Sequence, residues 1–231
     1  MRECKSRASL VVVVALVAGA ASAAAEAPRL GLVWVDPTDL AGGTFPGLAA
    51  ESRALLATTG AEVTWTAAPC GAVVGPESLV VIAVPTYATE ATRDRHVMGS
   101  TRATADGPLA IWIFPDQVAW ALGLDLSLRH GWGERAEMDF ARALARVASH
   151  EIVHALGVTT HSPGGLMAAR LDRDALTAAV LRIDRATLRA VRQAFDQGAR
   201  SAAAGAWTAA LLRGPTFTAA AELRAAPGSS H

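Results

Sequence analysis

The segment from Glu134 to Leu156 constrains the fold most, because it predicts a long helix that the rest of the chain must cover. Apolar residues occupy most of its circumference, and Arg142 and Arg146 form a narrow polar strip. A helix with so little polar surface is largely buried in a globular domain. Gly157 follows where a helix can end in the left-handed conformation, which a residue without Cβ adopts at low cost.

The residues before this helix form a pattern of short strands around one helix. Four apolar or alternating runs predict strands: Leu30–Val35, Glu62–Thr66, Leu79–Val84 and Leu109–Phe114. Leucine and alanine at helical spacing predict a helix over Phe45–Thr58. This order of elements predicts an α/β or α+β domain with a mixed, twisted sheet.

The other segments complete the predicted organisation. The polar stretch over residues 86–107 is long for a connection, and such a piece usually marks a functional loop or a flexible excursion. A helical region covers about residues 174–197, and Asp184 is placed to cap its second half. We therefore predict one domain over residues 26–200, ending in C-terminal helices, and a weakly ordered Ala- and Gly-rich tail over residues 201–231.

The N-terminus has the three-part pattern of a secretory signal peptide. Basic residues precede the apolar run Leu10–Ala20, and the small residues after it permit cleavage after Ala23 or after Ala25. Residues 1–25 are therefore predicted to be removed, and the protein is expected to be secreted or periplasmic. An uncleaved N-terminal anchor is the alternative, although the run is short for a membrane span. No membrane span is predicted in the mature chain.

Charge and cysteine content exclude some partners and sites. The whole chain has a formal net charge of 0, and residues 1–25 carry three basic residues and one acidic residue, which leaves −2 for the remainder. A chain without a basic excess gives no support to nucleic acid as a partner. Cys70 is the only cysteine in the mature chain, so no intramolecular disulfide can form there, and it is predicted to be a small buried residue.

The long predicted helix carries the pattern His-Glu-x-x-His at His150, Glu151 and His154. Histidines four positions apart project from one face of a helix, so their imidazoles can share one cation. Zinc suits them because it takes nitrogen ligands in tetrahedral geometry and keeps one position open for water. The metal lowers the pKa of that water toward ~7, and the neighbouring carboxylate can take its proton. Two other histidines, His96 and His130, fall in predicted loops and are expected to face solvent.

A catalytic zinc site needs a third protein ligand, and two residues are candidates. His161 is the nearer one, because Gly157 lets the chain turn back toward the same metal, and Asp172 is the rival. Met167 follows in a turn-forming segment rich in proline and glycine. It is either an apolar floor beneath the site or an ordinary core methionine.

These residues resemble the signature of the metzincin clan of zinc metallopeptidases, His-Glu-x-x-His-x-x-Gly-x-x-His followed by a methionine turn. The match comprises His150, Glu151, His154, Gly157 and, after one extra residue, His161, with Met167 as the turn methionine. The ending HSPGGLMAAR is similar to that of a group of bacterial secreted proteins predicted to be zinc-dependent. The resemblance extends loosely over about residues 30–188. It implies a metzincin-like α/β fold with His150, His154 and His161 as zinc ligands and Glu151 as general base.

The chain departs from the clan's pattern at three places. One extra residue lengthens the loop between Gly157 and His161, and Val153 stands where many metzincins have glycine. The tyrosine that some members carry just after the turn methionine is absent, since Tyr87 is the only tyrosine. An arginine or a backbone donor would then have to stabilise the oxyanion, and Arg170 is a candidate.

The resemblance implies an exported zinc metalloendopeptidase, in which a zinc-bound water activated by Glu151 attacks a peptide carbonyl. In the clan's geometry an edge strand lies above the cleft. We assign that strand to Leu109–Phe114, with which an extended peptide substrate could pair. Two alternatives stay open. One is an exported zinc-binding protein without proteolytic activity, such as a peptide- or envelope-binding module, and the other is a hydrolase of a non-peptide amide.

Overall fold

The computed structural model describes residues 27–70, 72, 78–86, 97–104 and 107–203. The predicted signal peptide, most of the predicted tail, Tyr87 and His96 lie outside the described residues. The described part has a five-stranded sheet with helices packed on it, which confirms the predicted mixed α/β architecture. Among its helices, none combines the length and the apolar character that crossing a bilayer requires.

The sheet is mixed, with four parallel strands and one antiparallel strand at an edge. Its order is β2-β1-β3-β5-β4, and only β4 runs antiparallel to its neighbour, β5. The four predicted strands are all present, with bounds that differ by a few residues. The strands are β1 (Arg29–Val35), β2 (Glu62–Ala68), β3 (Ser78–Ala83), β4 (Gly99–Thr104) and β5 (Gly107–Ile113).

Five α-helices accompany the sheet in the described part of the chain. They are α1 (Phe45–Ala57), α2 (Pro115–Ala121), α3 (Glu134–Ala155), α4 (Arg173–Thr177) and α5 (Arg185–Ala203). The predicted helices over residues 45–58 and 134–156 are confirmed as α1 and α3, and the predicted C-terminal helical region is present as α4 and α5. Helix α2 was not predicted, because Pro115 was interpreted as the end of a strand. Proline also suits the first turn of a helix, because an N–H group there has no acceptor within the helix.

The long helix α3 lies at the centre of the molecule. It packs against α1, against strands β4 and β5, and against α4. Nearly every residue of its second half is buried, as its apolar circumference predicts. The polar strip is the exception to the prediction, since Arg146 is fully buried and bonds to Glu51 and to two carbonyl groups. An arginine can be buried in this way when its charge and its donors are all satisfied.

The structure corrects two predictions about the sheet edge above α3. The polar stretch over residues 86–107 is not all loop, because it contains strand β4. Strand β5, which includes most of Leu109–Phe114, lies between β3 and β4 and is therefore not the edge strand. A continuous apolar run fits an interior strand covered on both faces, whereas the small and polar residues of β4 fit an edge.

The prediction for Cys70 is also wrong, because its side chain is exposed. Cys70 follows the end of β2, which is the strand at the other edge of the sheet. A residue just beyond an edge strand has few neighbours to cover it, so the apolar character of cysteine does not decide its burial there.

Candidate metal centre

Three histidine side chains converge beside the end of α3. His150 and His154 project from the helix, and His161 reaches the same point from the loop after it. The Nε2 atom of His154 lies 3.0 Å from Nε2 of His150 and 3.3 Å from Nε2 of His161. Within the described residues, these three side chains form the group whose ligand atoms are close enough to hold one metal ion.

The separations of the ring nitrogens suit a tetrahedral ion. Two nitrogens bound to one zinc ion at its usual distance are about 3.3 Å apart when the geometry is tetrahedral. The Nε2 separations of 3.0 and 3.3 Å from His154 lie close to that value. His154 can therefore share one ion with either of the other two rings with little movement.

Backbone carbonyl groups fix two of these rings. Nδ1 of His150 lies 2.7 Å from the carbonyl oxygen of Leu166, and Nδ1 of His154 lies 2.6 Å from that of Val158. A carbonyl oxygen only accepts, so each Nδ1 carries the hydrogen, and in a neutral ring Nε2 then presents its lone pair. Two lone pairs 3.0 Å apart repel each other, and either a proton on one ring or a metal ion between them removes the repulsion. The chemistry of these ring nitrogens therefore fits a bound metal ion.

The end of α3 explains how the chain turns back toward the helix. Gly157 has φ +93, and its N–H donates to the carbonyl oxygen of His154 at 2.9 Å. The N–H of Val158 donates to the carbonyl oxygen of Val153 at 3.3 Å. These two bonds form the Schellman arrangement, in which a left-handed residue closes the last turn of a helix. Val153 and Val158 are both buried, so the branched side chain at position 153 is accommodated.

The segment after His161 is a compact turn held by backbone bonds. The N–H of Ser162 donates to the carbonyl oxygen of Met167 at 2.8 Å, and the N–H of Leu166 donates to that of Arg182 at 2.9 Å. Gly165 has φ +75, and a Cβ there would collide with the Arg182 carbonyl. Met167 is fully buried in the core. The turn thus places the Leu166 carbonyl against His150.

The rival ligand, Asp172, has a different role. Its side chain is exposed and accepts the N–H of Ala175 at 2.8 Å, which caps the short helix α4. It is not part of the histidine group. Of the two candidates for the third ligand, the geometry brings His161 to the other histidines and leaves Asp172 at the helix cap.

Burial changes the acid-base properties of the site. Desolvation lowers the pKa of His150 to about 4, a shift that the hydrogen bond with Leu166 opposes and the neighbouring histidines increase. Desolvation raises the pKa of the Glu151 carboxyl, and the Thr101 hydroxyl and the charge of His154 offset part of the rise. His161 is exposed, so the centre is open to solvent on that side.

Glu151 lies against the edge strand, where two residues contact it that the motif did not predict. The Thr101 hydroxyl lies 2.8 Å from Oε2 of Glu151, and a Cβ built on Gly99 would lie 2.7 Å from its Cγ. Neither residue belongs to the site that the sequence predicts, because β4 lies within residues 86–107, where the sequence predicts a loop or a flexible excursion. The small residues of GST at residues 99–101 were the available signal, since a small residue in a strand often marks a close approach of another group.

Two other predicted residues lie on the surface. His130 is exposed, as predicted for a loop residue, and occupies a 3₁₀ turn before α3. Arg170 is also exposed, three positions beyond Met167.

No protein-family model matches the chain, and a search of the curated proteins gives no match either. The resemblance to the metzincin clan therefore depends on the motif residues, and it stays a prediction.

Proposed function

We propose that the protein is an exported zinc metalloendopeptidase of metzincin-like type. In this proposal His150, His154 and His161 hold one zinc ion, and Glu151 is the general base. The observation that carries it is the convergence of three imidazole Nε2 atoms, two of them on rings whose Nδ1 atoms bond to carbonyl groups. The export signal over residues 1–25 supports a secreted or periplasmic location.

Zinc fits this donor set better than a harder cation does. Three neutral imidazoles suit zinc and similar transition metals, whereas calcium and magnesium take oxygen ligands. Three protein ligands leave a fourth position open, as in catalytic zinc sites. A zinc ion bound there would act as a Lewis acid. It would polarise a substrate carbonyl and lower the pKa of a bound water toward ~7.

Glu151 would move the proton in the reaction. It would take a proton from the attacking water as the water oxygen forms a bond with the carbonyl carbon. It would then pass that proton to the amine nitrogen as the C–N bond breaks. Burial raises the pKa of this carboxyl, which makes it a stronger proton acceptor than an exposed glutamate.

The edge strand β4 supports a peptide as the substrate. It is the last strand in the sheet order, so within the described residues its outer edge has no neighbouring strand. An extended peptide could pair with such an edge through its main chain. Because Thr101 of β4 contacts Glu151, a peptide on this edge would lie near the proposed base.

Glu151→Gln tests the proposal most directly. This variant keeps the shape of the side chain but cannot take a proton, so we expect it to retain zinc and fold while hydrolysis falls on the order of 100-fold or more. Cleavage of a mixed peptide library by the zinc-loaded mature chain would be measured. Glu134→Gln is the matched control, because Glu134 is an exposed glutamate at the start of the same helix.

Two results would contradict the proposal. Unchanged hydrolysis by Glu151→Gln would remove Glu151 from the mechanism. Absence of cleavage by the zinc-loaded wild type, with zinc bound at one ion per chain, would favour the non-proteolytic zinc-binding protein.

A further inference from the structure

We propose that Gly99 and Thr101 of β4 are positioning residues, which hold the Glu151 carboxylate in one orientation at the metal centre. This inference rests on the proposed function, because it assigns these residues to the same site. Neither residue belongs to the His-Glu-x-x-His motif, and both come from a strand about fifty positions away in the chain.

Thr101 provides the hydrogen bond. Its Oγ1 lies 2.8 Å from Oε2 of Glu151 and 2.8 Å from the main-chain oxygen of the same residue. The hydroxyl has one proton, so it donates to one of these acceptors at a time. When it donates to Oε2, the rotation of the carboxylate is restricted and Oε1 keeps its lone pairs for another donor.

Gly99 has no side chain and so leaves the space that the Glu151 side chain occupies. A Cβ at this position would lie 2.7 Å from Cγ of Glu151 and 3.1 Å from its Oε1. Residues two apart in a strand face the same side, so Gly99 and Thr101 both face α3. The backbone of Gly99 therefore forms one wall beside the Glu151 side chain, and the hydroxyl of Thr101 holds its end.

The burial of Glu151 makes this support necessary. Only 8% of the residue is exposed, and a buried carboxylate without a donor is unstable. A glutamate also loses several rotamers when its position is fixed. If Thr101 and Gly99 fix the Glu151 side chain before the substrate binds, the loss of rotamer entropy does not add to the activation free energy. Loss of these contacts should therefore lower kcat more than it raises KM.

The first test compares variants that differ in the hydroxyl alone. Thr101→Val keeps the shape of the side chain and removes the donor, and we expect kcat to fall about tenfold or more with little change in KM. Thr101→Ser keeps the hydroxyl and should restore most of kcat. Thr64→Val is the control, because Thr64 is an exposed threonine in the strand at the opposite edge.

The second test does not require activity. We expect Thr101→Val and Gly99→Ala each to lower the urea midpoint of unfolding when Glu151 is present. Each shift should be smaller in a Glu151→Ala background, which removes the Oε2 acceptor and the colliding Cγ but keeps the main-chain oxygen of residue 151 and the Cγ1 of Val147, 3.1 Å from a Cβ at position 99. The four chains of each cycle would be measured side by side, with the metal content of each preparation determined.

The outcomes separate this inference from the proposed function. If the wild type cleaves peptide and Glu151→Gln does not, but Thr101→Val has wild-type kcat and equal midpoint shifts in both backgrounds, the inference is overturned and the function stands. If no chain cleaves peptide, the function is overturned. The midpoints then decide the positioning role alone, since equal shifts in both backgrounds would overturn it and a larger shift with Glu151 present would support it.

Discussion

Gly157 is the residue on which the path from helix α3 to His161 depends. Its φ of +93 is a conformation that L side chains rarely adopt, although a Cβ there would meet no other atom within 4 Å. The requirement for glycine is therefore one of backbone conformation and not of space. Its consequence extends beyond the helix end, because the same turn brings Val158 to His154 and His161 to the centre.

We expect Gly157→Ala to lower the free energy of unfolding by about 1–2 kcal/mol, the usual cost of a left-handed alanine. Gly164→Ala is the matched control, because Gly164 has no unusual φ and also has open space around it. It should change stability by less than about 0.5 kcal/mol. Urea unfolding measures both, and equal effects of the two variants would contradict the role given to the conformation of Gly157.

Arg146 is a second residue with consequences for the site, because it joins helix α3 to its neighbours. Its guanidinium is fully buried and donates to Glu51 at 2.9 Å, to the Ala175 carbonyl at 2.6 Å and to the Ala178 carbonyl at 2.7 Å. Helix α3 is thereby joined to α1 and to the region of α4. Arg142, one turn earlier, is only partly buried.

We expect Arg146→Ala to destabilise the protein by about 3 kcal/mol or more, since it leaves a cavity and removes the donors of buried acceptors. Arg142→Ala should cost about 1 kcal/mol or less, because its ion pair with Asp139 is partly solvated. Chemical denaturation of both variants checks this. A similar loss for the two arginines would show that the buried network does not hold the helix.

The site residues differ in how far the sequence could predict them. His150 and His154 were predictable because a helix has a fixed geometry, so a spacing of four determines that the rings are neighbours. The position of His161 depends on the path of a loop, which spacing alone does not determine, and this is why Asp172 stayed a rival. Thr101 was not predictable from a motif, because its contact with Glu151 joins two segments far apart in the chain.

At the scale of elements, the C-terminal helix α5 shows how a single cap begins a helix. Asp184 accepts the N–H of Ala186 at 2.9 Å, the N–H of Thr187 at 3.0 Å and the hydroxyl of Thr187 at 2.6 Å. The capping role predicted for Asp184 is confirmed. These bonds lower the pKa of its carboxyl below the ordinary value of 3.8.

We expect Asp184→Ala to reduce the free energy of unfolding by about 1 kcal/mol at neutral pH. Because the pKa is lowered in the folded state, the stabilisation by the charged form is present above the unfolded pKa and is lost as the pH falls through the lowered value. The difference between wild type and variant should therefore shrink below about pH 4. Asp184→Asn is the control, because it keeps an acceptor and should show a smaller loss. A difference between wild type and Asp184→Ala that does not change with pH would contradict the account.

A helix or strand could be predicted where the residues of its own segment determine its conformation. The apolar runs predicted four strands, and the helical spacing of leucine and alanine predicted α1. Strand β4 was missed because an edge strand needs no apolar pattern, and its formation depends on the neighbour that pairs with it. The order of the strands in the sheet depends on contacts between distant segments, which the residues of one strand do not determine. The sequence therefore predicts the apolar strand β5 at the edge, where the structure has β4.

At the scale of the whole molecule, the proposed centre combines three parts of the fold. Helix α3 supplies two histidines and Glu151, the loop after it supplies His161, and β4 supplies the contacts to the carboxylate. Packing of α3 against the antiparallel edge of the sheet brings these parts together. We propose that the three histidines in this arrangement form one metal site.

Zinc content of the purified mature chain, residues 26–231, tests that claim most directly. It would be measured side by side for the wild type, His161→Ala and Asp172→Ala. We predict about one zinc ion per chain in the wild type and in Asp172→Ala, and little in His161→Ala. No zinc in the wild type even after reconstitution, or a full zinc ion in His161→Ala, would contradict the account.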